Sequence, residues 1–276
     1  MTHIFVLFDF ETTGLSPFKN NRAVQLGAIL LRAKNKDNIY FNEIIHPQIP
    51  VSKYSKASRT HKISIHKIRR AKPFAYKFKK FIEWLRPHAV DSKIVLCAHN
   101  CFDFDSNFLV MEIIRAGFTI PFDIYLSDSL NIFRNWFPNE KSHSLPILYE
   151  NILKKELVGA HDALADVNAM RKLMCYYNKT QTKINSDYNI ENDMIKICKL
   201  KSLKEEILKI KEKIRIEKIN LNPEIYYIYS DEYTRHIIRQ DGGKWDDIKR
   251  EYYYTSEDMY TKAREKNRIT YSSNII

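Results

Sequence analysis

The sequence predicts an α/β protein with a small α+β appendage, and three observations predict it. Strand-length runs of β-branched and aromatic residues recur up to about residue 130. Stretches with helical spacing alternate with them from Pro73 onward, and the chain turns polar and charged after about residue 178. With 276 residues, 44% of them hydrophobic, it is long enough for one full core plus an appendage.

The first strand is the run from Ile4 to Glu11, ended by a turn at Gly14-Leu15-Ser16-Pro17. Strand side chains alternate faces, so Asp9 and Glu11 project to one side while Phe8 and Phe10 go to the other. Two carboxylates this close repel unless a cation or a shared proton compensates, which makes the pair a candidate site for a hard divalent metal. A strand end that merely surfaces in polar residues gives the same short pattern.

Residues 23–31 and 39–45 read as second and third strands, and short loops between the three make an antiparallel meander. The basic stretch from Lys53 to Arg70 reads as a solvated loop. After Pro73, Phe74, Phe78, Phe81, Ile82 and Leu85 recur at helical spacing, a pattern for core packing. A buried strand over 93–98 then runs into His99-Asn100-Cys101-Phe102-Asp103-Phe104-Asp105. Asp105, Phe108, Leu109 and Glu112 share one helical face, whereas Asp103 precedes the helix, so Asp105 is the better inward-facing ligand. His99 reads as a structural hydrogen-bonding residue.

A strand over 124–130, a helix near 131–137, a loop over 138–143 and a helix over 145–153 follow. Then comes Gly159-Ala160-His161-Asp162-Ala163-Leu164-Ala165-Asp166, with Val167, Met170, Leu173 and Met174 at core spacing. Five residues on a helix turn through roughly 140°, so His161 and Asp166 cannot share a face if both are helical. His161 therefore sits on the loop before the helix, with Asp162 available as its cap.

Taken in order, Asp9-x-Glu11-Thr12-Thr13-Gly14-Leu15, His99-Asn100 leading to Asp105-x-x-Phe108-Leu109, and His161-x-Ala163-Leu164-x-Asp166 resemble the three motifs of the DEDDh 3′→5′ exonucleases. Within that family the likeness is to three-prime repair exonucleases and proofreading domains. Ser58 to Ser64 resembles the family segment ending His-x-Ile-Ser/Thr, and Ser142-His143-Ser144-Leu145 resembles the loop before the third motif. The sister subtype has a Tyr four residues before the last Asp; Asp162 stands there, which keeps the chain in the histidine subtype. Asp103, an extra acid near the second motif, is a departure from the pattern.

The resemblance covers roughly residues 4 to 176 and implies a ribonuclease-H-like fold, a mixed five-stranded sheet flanked by helices. It implies that Asp9, Glu11, Asp105 and Asp166 hold two Mg²⁺ ions, with Mn²⁺ able to substitute, and that His161 is the general base. Thr12, Thr13, Gly14 and Leu15 would meet the terminal nucleotide, and nucleoside 5′-monophosphates would be released. An unperturbed histidine titrates near ~6.5, which suits a base at neutral pH. DNA is the expected partner on the longer basic loop and the added region. RNA is the alternative, because oligoribonucleases carry the same five residues. An inactive nuclease fold kept as a nucleic-acid-binding module is the reading from another class, and five filled positions argue against it.

The formal net charge of +12 points to an anionic partner, although coding bias toward Ile, Lys, Asn and Tyr accounts for it equally well. Four cysteines form no C-x-x-C pair, which argues against a zinc or disulfide framework. The amino terminus lacks the basic start of a signal peptide, and no apolar run is long enough to span a bilayer. A soluble, intracellular protein with no membrane partner is expected.

The expected organisation is an exonuclease domain over 1–178, a linker and charged amphipathic helix over 179–222, and a small α+β module over 223–276. Leu200, Leu203, Ile207, Ile210 and Ile214 form a seam about two heptads long, which leaves a homodimer and a helix packed on its own protein equally open. The last module reads as strand, helix, a turn at Gly242-Gly243, a hairpin around Trp245 and Tyr252-Tyr253-Tyr254, and a helix to about Lys266. Its aromatics, interleaved with Arg235, Arg239, Lys249 and Arg250, serve either base stacking or the module's own core.

Overall fold

The computed structural model describes residues 2–31, 39–90, 92–187, 189–194 and 198–209, and beyond them 226–228, 238–239, 242–246, 251–254 and 261–262. They fall into two compact units, Met1–Lys204 and Glu205–Ile276.

In the first unit, β1 (Thr2–Thr12), β2 (Ala23–Leu30) and β3 (Tyr40–Ile44) form the expected antiparallel meander. Two short helices follow, α1 (Lys56–His61) and α2 (Ile65–Arg70), then α3 (Phe74–Leu85), β4 (Ser92–Ala98), α4 (Asp105–Ala116) and β5 (Ile124–Asp128). After these come α5 (Ser129–Trp136), α6 (Leu145–Leu153), α7 (Ala163–Ile184), α8 (Glu191–Met194) and β6 (Cys198–Lys199). The sheet order is β3-β2-β1-β4-β5-β6. The five strands of the expected mixed sheet are present, and the two-residue β6 adds an antiparallel edge beside β5.

The period-two pattern of β1 separates two cores. Phe5 and Leu7 join Ile29, Val95 and Cys97 under α5, α6 and α7, with Phe133, Leu148, Met170 and Leu173. On the opposite parity, Phe8 meets Phe10 edge-on at 5.9 Å, and Phe10 leads to Phe74 and Phe78 of α3. Asp9 and Glu11 continue the parity of Phe5 and Leu7, so they emerge on the α7 side.

The basic stretch expected as a loop instead folds into α1 and α2. Ser55 caps α1 by accepting a hydrogen bond from the Ser58 N–H, and Ser58, His61 and Ile68 are buried beneath the cationic surface. Nor does the chain leave this unit at residue 178. α7 runs on to Ile184, Ile190 and Met194 join the core, and the Trp136 indole N–H donates to Asp193 at 2.9 Å. Among the described residues no helix is long and apolar enough to cross a membrane.

The second unit contains a three-stranded antiparallel sheet of β7 (Tyr226–Ile228), β9 (Glu251–Tyr254) and β8 (Lys244–Asp246), in that order. Tyr252 and Tyr254 are buried and Trp245 packs against Tyr252 at 4.9 Å, so these aromatics supply the module's own core. Gly243 takes its place because a Cβ there would collide with Ile238, whose carbonyl accepts the Gly243 N–H at 2.8 Å. Of the heptad seam, Leu200 and Ile207 are buried, while Ile210 and Ile214 lie outside the described residues, as do Arg235, Lys249, Arg250 and the helix expected to end near Lys266.

Candidate active site

The site begins where β1 outruns its parallel neighbour. Pairing with β4 ends at Leu7 opposite Cys97, whereas pairing with β2 continues to Glu11 opposite Gln25. The last residues of β1 therefore border an opening at the carboxyl ends of the parallel strands, the position where open α/β sheets bind ligands. Asp105, at the start of α4, reaches into that opening and its Oδ1 accepts the Phe10 N–H at 3.0 Å. Asp105 is buried, whereas Asp103 is exposed, as the helical spacing requires.

From the other side comes the start of α7. Asp162 caps it, accepting hydrogen bonds from Leu164 N–H and Ala165 N–H at 3.1 and 3.2 Å. Gln25 ties that cap to β2, its Nε2 donating to Asp162 Oδ2 at 3.1 Å and its Oε1 accepting the Ala163 N–H at 3.3 Å. Gly27 permits the approach, since a Cβ there would lie 2.6 Å from the Ala163 carbonyl carbon. His161 stands on the preceding loop in the left-handed region, φ 68°, exposed, with its backbone N–H donating to Asp166 Oδ2 at 3.1 Å.

Glu11, His161 and Asp166 present ligand atoms within 4.8 Å of one another, a group able to hold a metal ion. Asp9 and Asp105 are joined to them by charge. Burial pushes Asp9 well above the usual carboxylate range, and the charges of Asp105, Asp166 and Glu11 push it further. Burial, with the charges of Asp166, Asp105 and Asp162 adding to it, raises Glu11 to about 8. Asp105 rises to about 8, mainly through burial, with Asp128 and Asp166 adding to it against the Phe10 hydrogen bond. Asp166 rises to about 6 through burial, opposed by the His161 backbone N–H. Asp105 Oδ2 is buried without a hydrogen-bond partner among the described residues. Mutually repelling carboxyls with an orphaned oxygen fit a divalent cation, and oxygen donors with one imidazole suit a hard one.

The turn after β1 is held from inside. Thr12 is buried and its hydroxyl donates to the Gly14 carbonyl at 2.7 Å, while Thr13 Oγ1 accepts the Arg22 N–H at 2.9 Å. A Cβ at Gly14 would displace the Asn21 side chain, whose amide donates to the Ser16 carbonyl at 3.0 Å. Leu15 stands out at 82% exposure on this rigid turn. Beneath it, Arg22 makes a bidentate pair with Glu112 at 2.7 and 2.9 Å, and Arg115 donates to the Asn21 carbonyl.

His99 is structural, its ring nitrogens lying 3.1 Å from Ser129 Oγ and 2.8 Å from the His143 carbonyl, and burial lowers its pKa. Sequence reasoning missed Asp128 and Gln25. Asp128 caps α5 and accepts the N–H groups of Asn100 and Phe102, fixing the turn that leads to Asp105. A strand ending Ser-Asp-Ser before a helix carried the capping signal for Asp128. Nothing local marks Gln25, whose role depends on a partner 137 residues away.

A mixed sheet with acids at the carboxyl ends of its parallel strands, faced by a helix-borne Asp and a loop His, has the ribonuclease-H-like fold. The exonuclease family model RNase_T matches residues 6–174, and the chain belongs to that family. Among similar proteins, DNA polymerase III PolC-type of Streptococcus suis is 32% identical over 177 residues, 63% of this chain and 11% of that protein. The 3′-5′ exonuclease DinG of Bacillus subtilis is 26% identical over 167 residues, 60% of this chain and 17% of that protein. The chain thus spans less than a fifth of these curated relatives. The solved nuclease domain of 3′hExo, a DEDDh family member bound to rAMP, superposes with TM-score 0.53 at 19% identity, covering 64% of this chain and 92% of that one. The Escherichia coli ExoI–ssDNA complex gives TM-score 0.51 at 20% identity, covering 66% and 42%.

Proposed function

We propose that the chain is a divalent-metal-dependent 3′→5′ exonuclease that removes nucleoside 5′-monophosphates from DNA, with its first compact unit, Met1–Lys204, as the catalytic domain. The observation that carries this reading is the convergence of Asp9, Glu11, Asp105 and Asp166, mutually repelling, beside an exposed His161. These four carboxylates are the groups that would hold two ions, which supply when bound an activated water and charge neutralisation at the leaving 3′ oxygen. His161 accepts the proton of the attacking water, its imidazole set on an exposed loop whose backbone is tied to Asp166. The turn from Thr12 to Leu15 orients the terminal nucleotide, with the exposed Leu15 against the bases.

RNA is the second reading, because the similar solved structures include a 3′-exonuclease recognising a histone mRNA stem-loop as well as the ExoI–ssDNA complex. The test is digestion of 5′-labelled single- and double-stranded DNA and RNA with Mg²⁺ or Mn²⁺. A ladder shortening from the 3′ end with release of 5′-monophosphates is expected, faster on DNA. A ladder on RNA alone moves the substrate, and no metal-dependent product on any strand overturns the reading.

A further inference from the structure

The net charge of this protein is concentrated in one place. Between Glu43 and Glu83 there are eleven Lys or Arg residues and no Asp or Glu, leaving 34 basic against 33 acidic residues elsewhere. Coding bias would spread lysine along the whole chain, so it does not explain a stretch that carries nearly all of the excess.

That stretch is anchored beside the candidate site. Glu11 pairs with Gln25 and Gln25 with Ile44, so at about 4.8 Å per strand β3 ends roughly 10 Å from Glu11. The chain leaves there and returns to the same point, for the His46 N–H donates to the Lys72 carbonyl at 3.0 Å and His46 bridges Pro73. Between these pins, Lys53, Lys56, Arg59, Lys67, Arg69 and Arg70 are all exposed on α1, α2 and their approaches. Among the described residues of the stretch, only Lys77 and Lys80 pair with a carboxylate, that of Glu43. Two tyrosines stand among these cations, Tyr54 at 73% exposure under the Lys53 ammonium and Tyr76 at 50% beneath Lys80. Fixed cations interleaved with exposed rings are the composition of a single-strand platform.

We propose that α1, α2 and Tyr54 form a track for the phosphodiester backbone 5′ of the terminal nucleotide, so that the stretch sets affinity for longer strands. The inference rests on the nuclease reading for its direction, since it places the track upstream of Glu11, but its test uses binding alone. In the full chain, Lys53, Lys56, Arg59, Lys67, Arg69 and Arg70 are changed together to Gln. Affinity is then measured by anisotropy against 15-mers of dT and of U made resistant with 3′ phosphorothioate linkages, across a salt series.

Each lost phosphate contact removes roughly 0.7 from the slope of log affinity against log salt, so a decrease of about 2 or more is expected, with at least tenfold weaker binding. Equal loss on both 15-mers identifies the backbone as the ligand; loss on one identifies its sugar as well. In the unaltered chain, bound 15-mer should shield Lys53, Lys56 and Lys67 from acetylation, a readout that needs no variant. Unchanged affinity and slope, or lysines that acetylate equally with and without strand, overturn the track. Absence of hydrolysis with binding intact would instead count against the nuclease reading alone.

Discussion

The Phe10 backbone N–H donates to Asp105 Oδ1 at 3.0 Å, while Oδ2 of the same buried carboxylate has no hydrogen-bond partner among the described residues. One oxygen fixes the carboxylate against β1, and the other is the oxygen that the proposed metal site would use. Asp105→Asn keeps the volume but puts an amide where a metal should bind. It should abolish metal-dependent turnover and the rise in Tm on adding Mg²⁺ or Mn²⁺. Asp103→Asn, on an exposed residue outside the helix, should change both little. The reverse pattern would move the ligand to Asp103.

The raised carboxyls give stability a defined pH dependence without metal. A group whose pKa is raised on folding binds more protons in the folded state, so its contribution is present below its unfolded value and lost as pH rises through its folded value. Asp166 near 6, and Glu11 and Asp105 near 8, place this loss between about pH 4 and pH 8. The Tm in EDTA should therefore fall as pH rises across that window, and the stabilisation given by Mg²⁺ should grow over the same range. A Tm that rises from pH 5 to 8 in EDTA would contradict this coupling.

His161 is tested by separating rate from affinity. His161→Ala should lower kcat by about 10²–10⁴ while leaving strand affinity nearly unchanged, as a positioned general base requires. His161→Asn should be as slow but fold better, because Asn tolerates the left-handed backbone, φ 68°, found there. Added imidazole should restore part of the rate. A variant with wild-type kcat would remove His161 from the mechanism.

The ion pair beneath the turn after β1 predicts an asymmetry. Arg22 and Glu112 are 7% and 1% exposed, and Arg115 lies 3.4 Å from the same carboxylate. Glu112→Leu strands two buried guanidinium groups and should cost about 3–5 kcal/mol by urea unfolding. Arg22→Met leaves Arg115 to compensate Glu112 and should cost less. Equal losses would show that Arg115 does not share the carboxylate.

Much of this was legible in the sequence because it depends on short-range periodicity. The alternation in β1 put Asp9 and Glu11 on one face, and the five-residue gap from His161 to Asp166 put the histidine on a loop, as found. The α1 and α2 helices leave no periodic signal because six residues make too few turns, and Ser55, Ser58 and His61 matter through capping and burial. The stretch after residue 178 looked like a linker because Ile190 and Met194 are isolated among polar residues. Their burial comes from distant elements, which local composition does not record.

That last difference gives the final prediction. A chain ended after residue 178 loses Ile190, Met194 and β6, uncovering the core near Trp136 and Tyr177, whose rings stack at 4.2 Å. It also loses the Asp193 carboxylate that accepts the Trp136 indole N–H. Each buried aliphatic side chain removed costs about 2–5 kcal/mol, so this chain should unfold well below one ended after Lys204, the limit of the first compact unit. The longer truncation should keep its Tm response to Mg²⁺ and hydrolyse short oligonucleotides near the full-length rate, because the proposed catalytic residues all precede it. Measuring both chains by thermal unfolding and single-turnover cleavage separates the contributions. If the chain ended after 178 proved as stable as the chain ended after 204, the packing of Ile190, Met194 and β6 would contribute nothing to the first unit.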